Sequence, residues 1–166
     1  MKIQKFLIAV LFVFGTVYSN AQNSGIKTNI TDLNTSELVN TNFDDIIKKY
    51  EGKVIYLDFW ASWCRPCKGE MPHSLKLQEK FKDKNVAFVY ISTDRDVNAW
   101  KNAINTLNIT GEHYHVNQNV HTQMMEKFDV RYIPRYVIID KQGNVVDAKA
   151  KRPSNAMVAD DIEKLL

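Results

Sequence analysis

An α/β fold, a mixed central β-sheet flanked by helices, is predicted by three observations. Two seven-residue runs, VIYLDFW (54–60) and VAFVYIS (86–92), are almost continuously apolar and rich in β-branched and aromatic residues, as strands buried on both faces require. Stretches with helical apolar spacing follow each of them, from about Cys64 to Lys82 and from Val97 to Leu107. Near the end, YVIID (136–140), a Lys141-Gln142-Gly143-Asn144 turn and VVDAKA (145–150) read as a hairpin, which makes the sheet mixed.

The elements follow in chain order. Lys2 and Lys5 precede an apolar stretch from Phe6 to Tyr18, closed by Ser19-Asn20-Ala21. This is the pattern of a secretory signal peptide over residues 1–21, cut after Ala21, with an uncleaved membrane anchor as the alternative. An exported, periplasmic chain is expected, in a compartment where disulfides persist. Residues 22–41 are rich in Asn, Thr and Ser and read as a polar leader or tether. The folded domain is expected over 42–166. It opens with a short helix, FDDIIKKY (43–50), ended by Gly52, before the first buried strand. After the helix at 97–107, EHYHV (112–116) reads as a short strand, VHTQMMEKF (120–128) as a helix, and an amphipathic helix from about Asn155 closes the chain after the hairpin.

Charge excludes one class of partner. Of 22 basic and 19 acidic residues, removing 1–21 takes two basic ones, so the remaining charge is close to zero. No clustered basic face of the kind a nucleic-acid binder needs is evident. Residues 22–166 suffice for one domain with a sizeable core and need no covalent staple. A monomer is expected.

Both cysteines of the chain lie in FWASWCRPCKGEMP (59–72). A structural staple, half of a metal site and a redox pair compete to explain them. A disulfide closing so short a loop restricts the unfolded chain very little, which disfavours the staple. The pair sits where a buried strand ends and a helix begins, so Cys64 meets the helix amino terminus, with its unpaired N–H groups and positive dipole end. That environment favours thiolate, making Cys64 both nucleophile and leaving group. Cys67 lies one turn inward on the same face, within reach to resolve a mixed disulfide. Pro66 is tolerated in a first turn whose N–H groups have no partner.

LDFWASWCRPCKGEMP resembles the active-site segment of the thioredoxin superfamily, and the leader with the ASWCxPCxxEMP form resembles its exported TlpA/ResA-type branch. The resemblance covers roughly 40–166. It implies a thioredoxin fold with an extra helix-strand insertion and thiol–disulfide exchange on protein disulfide or thiol substrates. The branch implies a reductant fed by a membrane-embedded electron donor, with a disulfide-forming oxidant or isomerase as the alternative. By the same resemblance Cys64 is the exposed nucleophile, Cys67 the resolving thiol, and Asp58 a buried acid under them. Its apolar neighbours Leu57, Phe59 and Trp60 agree with burial, although a strand aspartate can also face water. Glu70 matches an acid of the branch or is a solvated helix charge. Pro134 after Ile133, in RYIPRYVIID, matches the family's cis-proline, beside which a substrate backbone pairs with Ile133. Trp63, Arg65 and Pro66 complete the expected substrate surface, and Pro72 matches the proline that kinks the helix.

Departures qualify the match. Arg135 replaces a small hydroxyl residue and, with Arg65, Lys68 and Arg131, suggests a cationic rim around the sulfurs that would push the pair toward oxidant. Lys151-Arg152-Pro153 stands where a glycine is usual. Met124 and Met125 read as packing. Zinc held by the cysteines with His73, His113, His115 or His121 is the rival reading, but only His73 is local and it is expected to face away. A peroxidase would carry a lone cysteine, and a redox-silent adaptor would not need Cys64, Cys67 and Pro134 together. No metal and no cofactor beyond the redox disulfide are expected.

Overall fold

The computed structural model describes residues 27–166, so the signal peptide read at 1–21 lies outside the described residues. Strands β1 (Thr28–Asp32), β2 (Val54–Trp60), β3 (Val86–Ser92), β4 (Gly111–His115), β5 (Arg135–Ile139) and β6 (Val145–Asp147) form one sheet in the order β1-β4-β3-β2-β5-β6. The pairs β1–β4, β4–β3 and β3–β2 are parallel, while β5 runs antiparallel to both β2 and β6. Helices α1 (Phe43–Lys48), α2 (Arg65–Phe81), α3 (Val97–Leu107), α4 (Gln118–Phe128) and α5 (Val158–Glu163) cover it. This is the predicted mixed sheet, with α3, β4 and α4 between the second and third buried core strands.

All seven residues of β2 are buried, which explains the continuous apolar run. Because side chains alternate along a strand, its residues divide between two cores. Val54, Tyr56 and Trp60 pack with buried positions of α2, α3 and α5, whereas Ile55, Leu57 and Phe59 pack with those of α1 and α4. In α2 the buried positions Cys67, Glu70, Met71, Ser74, Leu77, Gln78 and Phe81 recur at helical spacing, so one stripe faces the sheet. The helix runs through Pro72 without interruption. Gly111 opens β4 at φ 107°, and a Cβ there would stand 2.9 Å from the Phe88 carbonyl oxygen, so only glycine lets β4 approach β3 this closely.

One expectation is corrected. The polar leader read over 22–41 is a docked edge from Thr28 onward: β1 pairs with β4, and Leu33 is fully buried. Asn117, which caps α4 by accepting the Val120 N–H, also donates to the carbonyls of Val39 (3.0 Å) and Thr41 (3.1 Å) and so pins the loop after β1. The sequence TNITD hid this strand because its side chains are mostly exposed at the sheet edge. Among the described residues no helix is long and apolar enough to cross a membrane.

Candidate active site

The cysteine pair is built by the turn that joins β2 to α2. Cys64 N–H donates to the Ala61 carbonyl (3.0 Å), and Cys64 then serves as N-cap of α2, its Sγ accepting the Cys67 N–H at 3.2 Å. Pro66 occupies the first turn, which holds no acidic side chain, so the positive end of the helix dipole is left for the sulfur. Cys64 and Cys67 are joined as a disulfide with their Cα atoms 5.3 Å apart. Cys67 is fully buried and Cys64 only 4 % exposed. Cys64 is therefore less open than the resemblance implied, because the N-cap position packs it onto the apolar cluster of that face. Arg65 and Pro66 are exposed beside it, and Trp63 is 66 % exposed.

Two acids lie under and beside the pair. Asp58 is buried at the centre of β2, on the face that carries α2, with neither carboxylate oxygen hydrogen-bonded. Burial, and secondarily the negative charge of Glu70, push its pKa well above the ordinary carboxylate value. Glu70 is buried as well, which decides against a solvated helix charge. It accepts hydrogen bonds from the N–H (2.9 Å) and hydroxyl (3.0 Å) of Ser154, and Arg152 stands 3.6 Å away. The loop that replaces the usual glycine thus covers Glu70. Tyr56 reinforces it by donating to the Lys151 carbonyl at 2.7 Å.

The opposite wall comes from the loop before β5. The Ile133–Pro134 peptide is cis. Ile133 and Trp63 line a cavity of about 270 Å³ with Met124, Met125, Val130 and Tyr132, the last 80 % exposed. The two methionines therefore serve both as packing and as groove wall. The cationic rim does not form as expected. Arg131 pairs with Asp129 (2.5 Å), and Arg135 donates to the Phe128 carbonyl (3.1 Å) to close the end of α4, leaving Arg65 and Lys68. Among the described residues no three His, Cys, Asp or Glu side chains converge as metal ligands.

Sequence reasoning missed the aromatic and polar surroundings of the acids. Tyr56, Tyr90 and Tyr136 crowd the same face, each with its phenol pKa raised by burial and then by the Asp58 charge. His113 stacks on Tyr90 with ring centroids 4.6 Å apart. Burial lowers its pKa to about 4, and backbone groups of Thr110 and Ile109 offset that only partly. The alternation of β2, β3 and β5 could have indicated the tyrosines, since they are register partners or next-but-one neighbours of Asp58.

Comparison with known proteins agrees with this geometry. A family model described as thioredoxin-like matches residues 52–145. The thiol-disulfide oxidoreductase ResA of Bacillus cereus (strain ZK / E33L) is 32 % identical over 101 residues, which are 61 % of this chain and 57 % of the relative. The chain thus spans little more than half the length of that curated relative. ResA of Bacillus subtilis (strain 168) is 27 % identical over 110 residues, 66 % of this chain and 60 % of the relative. The crystal structure of the thioredoxin domain of a Bacteroides vulgatus thiol-disulfide oxidoreductase superposes with a TM-score of 0.64 at 27 % identity, covering 70 % of this chain and 81 % of that one.

Proposed function

This chain belongs to the thioredoxin-like family, and from that premise we propose that it is a thiol-disulfide oxidoreductase that reduces protein disulfides through Cys64 and Cys67. The observation that carries the reading is the Cys64–Cys67 disulfide at the amino terminus of α2, above a buried and unpaired Asp58. In the reduced protein the Cys64 thiolate attacks a substrate disulfide, forming a mixed disulfide and releasing one substrate thiolate. Cys67 gives up its proton, with Asp58 as the base, and its sulfur displaces the second substrate thiolate from Cys64. That thiolate takes up a proton. Two electrons have passed from the dithiol to the substrate, and the enzyme is left as the disulfide. A raised pKa suits Asp58 to this step, because a base titrating nearer neutral pH exchanges protons with a thiol more readily.

Electron flow toward substrate is favoured by the two buried acids, which disfavour thiolate beside them, and by the engagement of Arg131 and Arg135 elsewhere. Stabilising the reduced form less lowers the potential. The cavity beside Trp63 and Ile133 suits an extended apolar segment of the substrate, with Arg65 and Pro66 at its edge. The basic-then-apolar start over residues 1–21 supports export to the periplasm. There the proposed enzyme works as a monomer with the redox disulfide as its only redox group, and is re-reduced by the membrane-embedded donor that the resemblance implies.

Single-cysteine variants test the division of labour. Cys67→Ser should accumulate covalent complexes with substrate proteins on non-reducing gels, and Cys64→Ser almost none. Equal trapping by both, or by neither, overturns the assignment.

A further inference from the structure

The strongest polar assembly outside the cysteine pair is centred on Asp94, in the loop after β3, which is 7 % exposed. Its carboxylate accepts three hydrogen bonds: from the Ser62 N–H (2.8 Å), the Ser62 hydroxyl (2.6 Å) and the Ser92 hydroxyl (2.7 Å). Its own N–H donates to Ser92 Oγ at 3.0 Å. Ser62 belongs to the turn that ends in Cys64, and Thr93 N–H ties the same turn by donating to the Trp60 carbonyl (3.1 Å). A buried carboxylate satisfied by three donors fixes its partners more firmly than a neutral acceptor does.

The assembly extends away from the sulfurs through the Asp94 main chain. His115 Nε2 lies 2.8 Å from the Asp94 carbonyl oxygen and so donates to it. Its Nδ1 lies 2.9 Å from Asp32 Oδ1 at the end of β1 and 3.1 Å from Asn34 Nδ2. The imidazole is held flat by stacking on Trp100, with centroids 5.3 Å apart. Burial works to raise the Asp32 pKa, but the hydrogen bonds from His115 and Asn34 outweigh it and hold the carboxyl below its ordinary value.

We propose that Asp94 is a positioning residue for Cys64, and that Asp32 and His115 connect it in series to the docked strand β1, so that the seating of β1 sets the geometry of the redox turn. The chain of contacts is continuous: Asp32 to His115, His115 to the Asp94 carbonyl, the Asp94 carboxylate to Ser62, and Ser62 through Trp63 to Cys64. Trp63 also lines the substrate cavity together with Thr93, so a displaced turn would misplace both the attacking sulfur and one wall of the groove. This rests on the thiol–disulfide reading above.

The test uses the full chain and two readouts, the rate at which iodoacetamide alkylates reduced Cys64 and the equilibrium constant of the pair with glutathione. Neither needs the physiological substrate. Asp94→Ala should slow alkylation about tenfold and shift the glutathione equilibrium toward the disulfide, because a loosened helix start stabilises thiolate less. Asp94→Asn, which can still accept the Ser62 N–H, should recover most of the loss. Ser62→Ala should act in the same direction, and supplies the result if Asp94→Ala fails to fold. His115→Phe, which keeps a ring against Trp100, and Asp32→Ala should each give a smaller change of the same sign. A connection in series further requires that Asp32→Ala/Asp94→Ala react no more slowly than Asp94→Ala alone. A lower melting temperature with unaltered alkylation and glutathione equilibrium would make the assembly a stability clasp and overturn the proposal. Independent, multiplying effects of Asp32 and Asp94 would overturn the connection to β1. If the parent protein fails to reduce insulin while these thiol readouts respond as stated, the functional reading fails and the positioning role stands.

Discussion

Strand β2 turns Ile55, Leu57 and Phe59 toward α1 and α4, and Tyr56, Asp58 and Trp60 toward α2, α3 and α5. The first face is closed by aliphatic and phenylalanine contacts, including Phe43 and Phe59 against Phe128, and its two buried phenols, Tyr50 and Tyr114, satisfy each other at 2.6 Å. Across the sheet lie the disulfide, Asp58, Glu70, His113 and three tyrosines. Among the described residues, every buried side-chain polar atom without a partner belongs to this second face: those of Asp58, Trp60, Trp100, His113 and Tyr136. One face therefore supplies stability and the other carries groups whose burial costs stability. Unpaired buried polar groups persist where the rest of the fold can bear them, and their gathering on the cysteine side agrees with the redox site proposed there.

Exchanging the character of the two faces should produce the largest effect. Leu57 is fully buried on the inert face, and Leu57→Asn removes its apolar burial while stranding an amide. The two costs together come to about 4 kcal/mol, a large fraction of the roughly 5–15 kcal/mol that stabilises an ordinary domain. Asp58→Leu, one residue along the same strand, should instead raise the melting temperature at neutral pH while slowing substrate release. Denaturant unfolding of the two variants compares the faces directly. Equal destabilisation would mean that they do not differ in the way described.

A second effect of similar kind, somewhat smaller, concerns His113. Its pKa falls from an ordinary 6.5 to about 4 on burial, so between these values the unfolded chain binds a proton that the folded chain does not. Stability from this group is complete above pH 6.5 and is lost as pH falls toward 4, by about 3 kcal/mol. His113→Phe keeps the stack on Tyr90 and should remove that part of the acid sensitivity. Unfolding free energies at pH 7 and pH 4 measure it, and a variant as acid-labile as the parent would locate the sensitivity elsewhere.

Much of the reactive face was legible in the sequence because its signals are local. The strand-to-helix junction, the two-residue cysteine spacing and the apolar neighbours of Asp58 all fall within one short stretch. What escaped reading depends on distant pairing. Glu70 is buried by Ser154, 84 residues away, and nothing near Glu70 announces that loop. Arg135 and Arg131 looked like a rim because a carbonyl acceptor and a close aspartate leave no apolar pattern. Strand β1 is polar because its outer edge meets solvent, so it offers neither alternation nor a buried run. Asp94 reads as an ordinary loop aspartate until Ser62, 32 residues earlier, is brought against it.

The smallest effect, and the one that separates the two acids, is expected from Glu70→Gln. Burial is the larger cause of the raised Asp58 pKa and the Glu70 charge the smaller, so removing that charge lowers the Asp58 pKa without returning it to its ordinary value. The folded chain keeps a proton on Asp58 where the unfolded carboxylate, near 3.9, has lost it. Stability therefore falls as pH rises from about 3.9 to the folded value, and is level above it. Glu70→Gln narrows that window from its upper end. The variant should lose less stability than the parent between pH 4 and pH 8. The pH midpoint of substrate release should move down in the same sense. Glutamine retains an acceptor for the Ser154 N–H, which limits disturbance of the covering loop. Asp58→Asn provides the decisive background: with no proton to hold at that position, Glu70→Gln should leave the pH dependence unchanged. An equal change in both backgrounds would mean that Glu70 acts through the Arg152–Ser154 loop and not through Asp58.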